Sequence, residues 1–306
     1  MKNKKKQFSI KNKRGELTTK QIVTMIVLIV SFVIVLFLLF RLNLGGITDR
    51  EICHNSVVTR GSSVLPTDSV PLKCQRSYLC LTNDGSCEAL TKPMIEKVKT
   101  EEEVYGVLAE ELATCWWMFG EGKINYVGTD LTEKLYCSIC AQVAFDDSVN
   151  EVLTDGMLDK EELYVYMQDN KVIGKDETYL NYLYGTNDLN GLKERFSSQG
   201  VEFGSLDLNK QYYVMMGITS EISKLSWAAI GVVTVAAIAF TPVVGGAWGI
   251  GFGVVAIAGA GGGTGGYFAG ILVEGLSGNE YLSPSIIEVN SEEFRALGCK
   301  SITTLS

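Results

Sequence analysis

Eight cysteines and a single histidine carry the reactive side-chain chemistry that is simplest to read in this 306-residue chain. The cysteines are Cys53, Cys74, Cys80, Cys87, Cys115, Cys137, Cys140 and Cys299. A Ser–His–Asp or Cys–His mechanism would have to use His54, which lies beside Cys53 in a turn-rich stretch. Cys137-Ser-Ile-Cys140 has the spacing of a redox couple, whose thiols gain acidity at a helix N-terminus. The neighbouring residues alternate instead, with Leu135, Cys137, Ile139, Ala141, Val143 and Phe145 on one face of an expected strand. Positions three apart on a strand point to opposite faces, so Cys137 and Cys140 are expected to bond to different partners. Cys74, Cys80, Cys87 and His54 do not form the paired Cys-x2-Cys knuckles of a zinc site. The sequence contains no HExxH, no P-loop and no dinucleotide fingerprint, and no catalytic residue, metal or cofactor is assigned.

The compartment in which those cysteines act follows from the charge pattern. Residues 1–21 carry Lys2, Lys4, Lys5, Lys6, Lys11, Lys13, Arg14 and Lys20 against Glu16, a net of +7, which leaves −15 on the rest of a chain whose total is −8. Ile22 to Phe40 follows, with no charge, Gly or Pro. Nineteen helical residues reach roughly 28 Å, about the depth of a bilayer's hydrocarbon core. A basic flank stays in the cytoplasm, so the expectation is a cytoplasmic N-terminus, an uncleaved anchor and an acidic extracytoplasmic bulk. All eight cysteines lie beyond the anchor, where disulfides are the default. An acidic exterior also argues against nucleic acid as a partner.

Lys13-Arg14-Gly15-Glu16 before the apolar run resembles the leader of type IV pilin-like proteins, which is cut after Gly. The Glu that such proteins usually carry about five residues after the cut is replaced here by Lys20. The resemblance covers some thirty residues and implies a processed N-terminus.

The elements of the exterior part are read from period and punctuation. Cys53 to Cys87 is loop-like, with Pro66, Pro71 and Asn83-Asp84-Gly85. Thr100-Glu101-Glu102-Glu103 fits a capping box that opens a helix to Phe119, with Val104, Leu108, Leu112 and Trp116 as its buried stripe and Gly120 and Gly122 as its stop. Short helices are expected over 159–168, 176–184 and 189–196, and a strand over 211–219 with Tyr212, Val214, Met216 and Ile218 on one face.

From Leu225 to Val273 there is no charge. Thr241-Pro242 and Gly245-Gly246 break the stretch into two segments. Gly245, Gly249 and Gly253, and again Gly262, Gly266 and Gly270, recur at four-residue spacing, which resembles a glycine-zipper helical hairpin in lipid. The expected division is therefore a basic cytoplasmic segment at 1–21, a transmembrane helix at 22–40, a disulfide-linked α+β extracytoplasmic domain at 41–224, a Gly-rich transmembrane hairpin at 225–273 and an extracytoplasmic tail at 274–306 that packs on the exterior domain. Cys299 should then bond to that domain.

Three functions follow from this reading. The first is a non-enzymatic cell-envelope protein presenting a binding or assembly domain, with the bilayer and an envelope protein or glycan as partners. The second is a channel or membrane-perturbing protein whose hairpins form a homo-oligomer. The third is a thiol–disulfide oxidoreductase using Cys137 and Cys140.

Overall fold

The computed structural model describes residues 19–41, 48–63, 69–128, 131, 135–153, 156–198, 203–219, 241–242, 251–258, 267–274 and 279–301. Its helices are α1 (Thr19–Arg41), α2 (Asp49–Ser62), α3 (Glu101–Met118), α4 (Lys160–Asp169), α5 (Tyr179–Tyr184) and α6 (Leu189–Ser198), with a last short helix at Glu292–Ala296. Its strands are β1 (Ser77–Thr82), β2 (Met94–Lys97), β3 (Tyr136–Phe145), β4 (Met157–Asp159), β5 (Ser205–Asp207), β6 (Tyr212–Thr219), β7 (Thr241–Pro242), β8 (Gly251–Ala258), β9 (Tyr267–Glu274), β10 (Glu280–Glu288) and β11 (Lys300–Ser301). The chain divides into two compact units, Met1–Thr48 and Asp49–Ser306.

The first unit contains α1. Every large apolar side chain described there, from Ile22 to Ile34, is exposed, between 45% and 65%. The described side chains of α1 end at Ile34, and among the described residues no helix is long and apolar enough to cross a membrane.

The second unit is a mixed α+β domain. A nine-stranded sheet runs in the order β2-β1-β3-β6-β10-β9-β8-β7, and β11 pairs with β3 off that path. β1 is parallel to both β2 and β3, and all neighbours from β3 to β7 are antiparallel. β1 covers β3 from Ala141 to Phe145, and β11 takes Tyr136 and Cys137 at the other end of the strand.

β6 is buried along its whole length because both sheet faces are covered. Tyr212, Val214, Met216 and Ile218 enter the main core with the helices, while Tyr213 and Met215 enter a smaller cluster with Leu282, Ile287 and Leu297. This is the period of two that an extended backbone imposes.

α3 lies across the main core. Thr100 Oγ1 accepts from the Glu103 N–H at 3.2 Å, which satisfies one of the helix's free donors. The Glu103 carboxylate accepts from the Lys99 N–H rather than from Thr100, one residue off a standard capping box. Val104, Leu108, Leu112 and Trp116 are all buried. The helix stops where Gly120, Glu121 and Gly122 take φ values of 83°, 56° and 70°. A Cβ on Gly122 would come within 2.9 Å of the Trp116 ring, so glycine is required there for space as well as for backbone freedom.

Three sequence expectations are corrected. The stretch from Cys53 is not a loop: Cys53 and Val57 are one helical turn apart on α2, both fully buried, and Cys80 lies on β1. β3 does not keep one face along its length. Ile139 pairs with Met215 and Ala141 with Val214, so Cys140 is an extra residue in a bulge. Leu135, Cys137 and Ile139 therefore face the smaller cluster, whereas Ala141, Val143 and Phe145 face the main core.

The third correction concerns the glycine-rich hairpin. It is not helical where it is described, because β8 and β9 are antiparallel strands that continue the sheet through β10. Gly253 pairs with Leu272, and Gly270 with Val255, so neither is a helix-packing glycine. Glycine costs a helix about 1 kcal/mol against alanine. Val254, Val255, Ile257, Phe268, Ile271 and Val273 favour a pleated surface. Gly245, Gly249, Gly262 and Gly266 lie outside the described residues, as does 220–240.

Candidate functional site

All eight cysteines are paired. The bonds are Cys53–Cys74, Cys80–Cys87, Cys115–Cys140 and Cys137–Cys299. The first ties α2 to the segment before β1. Cys115–Cys140 ties α3 to the bulge of β3, and Cys137–Cys299 ties the opposite face of β3 to the chain just before β11. A redox couple needs its two thiols to share a bond, and Cys137 and Cys140 do not, so the oxidoreductase reading of this motif is overturned. Cys74, Cys80 and Cys87 are likewise engaged in disulfides, and among the described residues no His, Cys, Asp and Glu group could hold a metal ion.

His54 is held in a structural arrangement. Its ring stacks on Trp117 with centroids 4.1 Å apart and planes 10° apart, and Nδ1 lies 2.7 Å from the Trp117 carbonyl oxygen. The neighbouring Cys53 has no thiol to activate.

Sequence reasoning missed Lys160, a half-buried charge at the start of α4. Asp159 caps α4 by accepting from the Glu161 N–H at 2.7 Å, and this places Lys160 at the first helical position. The Lys160 backbone N–H donates to the Gly204 carbonyl at 3.1 Å. Lys160 lines a cavity of about 30 Å³, room for about one water, with Leu112, Tyr164, Tyr184, Phe203, Pro284 and Ile286. Tyr164 lies one turn after Lys160 and shares a hydrogen bond with Tyr184, whose ring it stacks on at 5.7 Å. Tyr184 Oη also reaches the Pro284 carbonyl at 3.5 Å. Burial pushes both tyrosine hydroxyls up, so they stay neutral at ordinary pH. Burial also pushes the Lys160 amine down to about 8, while the Glu293 charge pulls it the other way.

Two further charged groups are paired rather than open. Arg50 on α2 holds the buried Glu111 of α3, whose carboxyl is pushed up by burial against the pull of that guanidinium. Glu121 accepts from Lys123 at 2.7 Å, from Lys175 at 2.8 Å and from Tyr182 Oη at 2.7 Å. Its burial would raise the carboxyl, but these three donors hold it at about 2.

Compared with known proteins, the chain matches no family model, no curated protein and no solved structure. The disulfide-rich α+β domain is compatible with a disulfide-stabilised extracytoplasmic one.

Proposed function

We propose that this is a membrane-anchored cell-envelope protein that presents its α+β domain outside the cytoplasm for non-enzymatic binding or assembly. One observation carries the reading. The described face of α1 exposes apolar side chains all round from Ile22 to Ile34, while the unit that follows has all its cysteines in disulfides. A helix hydrophobic on every side needs an apolar surrounding, and lipid is the one that a +7 flank at 1–21 would orient. Disulfides persist where the medium oxidises. With β8 and β9 in the sheet, the reading uses one crossing, at Ile22–Phe40, and the tail lies with the domain it bonds to. A binding role fits a domain whose cysteines are all bridged and whose only histidine is stacked on a tryptophan.

The test is labelling of intact cells with a membrane-impermeant maleimide. The expected result is labelling only after an impermeant reductant opens the disulfides. Labelling without any reductant, or only after the membrane is permeabilised, would overturn the proposal.

A further inference from the structure

We draw no further inference here: the strongest candidate, the edge of the nine-stranded sheet at β2, where all four residues from Met94 to Lys97 are exposed, carries nothing, because no feature of the structure shows what covers it.

Discussion

Cys137 and Cys299, separated by 162 residues, are joined by a disulfide on the face of β3 opposite the main core. The bond closes almost two-thirds of the Asp49–Ser306 unit into one loop. In the chain-entropy account, a loop of that length stabilises the fold by about 5 kcal/mol, against about 2.5 kcal/mol for a loop as short as the seven-residue separation of Cys80–Cys87. Replacing Cys137 and Cys299 by Ser together should therefore lower the melting temperature more than replacing Cys80 and Cys87. Calorimetry of the two double variants checks the order, and an equal loss in both would remove the loop-length argument.

Arg50 supports a charge that the core would otherwise reject. Arg50→Met leaves Glu111 buried without its partner and should cost about 3–5 kcal/mol at pH 8. Arg50→Met with Glu111→Leu should cost much less, because both charges are removed together. The pH dependence has a definite sign. A carboxyl held above its usual value stabilises the fold when protonated and loses that contribution as pH rises through its folded pKa. The Arg50→Met penalty should shrink from pH 8 toward pH 5, as urea unfolding at the two values would measure.

β8 and β9 offer a discriminating substitution. Gly270 faces Val255 across the ladder, so Gly270→Val adds a β-branched side chain to a strand. Host-protein scales for such changes span about 1 kcal/mol, and the expected outcome is unchanged or raised stability with undiminished strand content by infrared spectroscopy. In a helix pair packed through Gly270, the same valine would hold the backbones apart. A loss of fold in Gly270→Val would favour that arrangement.

Much of the domain was legible where one physical rule dominates. Thr100 caps α3, the Val104–Trp116 stripe is buried, and β6 keeps its alternation because it lies unbroken between two bulged neighbours. The alternation of β3 misleads beyond Cys140, since an extra residue in the ladder leaves no mark in the pattern of apolar residues. The run after Leu225 defeats periodicity altogether, because a buried strand and a buried helix are both continuously apolar. Disulfide partners depend on tertiary distance, which spacing does not encode. Lys160 reads in sequence as an ordinary solvated charge at a helix start. Its surroundings come from Leu112 on α3, Phe203 before β5 and Pro284 in the bulge of β10, and only the fold brings these together.

Glu121 combines an unfavourable backbone with a favourable charge, and the balance between them can be measured. Its φ of 56° lies in the left-handed region, where a non-glycine residue is held at a cost of order 1 kcal/mol. Three donors secure it there, two of them cations, and Lys175 also lies 4.3 Å from the centre of the Tyr182 ring. With its carboxyl held at about 2, against an ordinary value of 4.5, Glu121 contributes stability that is present above pH 4.5 and lost as pH falls toward 2. The full contribution is on the order of 2–3 kcal/mol. Glu121→Gln keeps the shape but removes the charge, so it should lower stability at pH 7 by about that amount and little at pH 2. Glu121→Gly relieves the backbone while removing all three acceptor bonds, and should remain less stable than wild type at pH 7 because the lost charge-assisted bonds exceed the relieved strain. Urea unfolding of the three proteins at pH 7 and near pH 2 tests the account. A Glu121→Gln penalty of equal size at both values would show that the carboxylate's charge contributes nothing, and a Glu121→Gly variant more stable than wild type at pH 7 would show that strain outweighs the ion pairs.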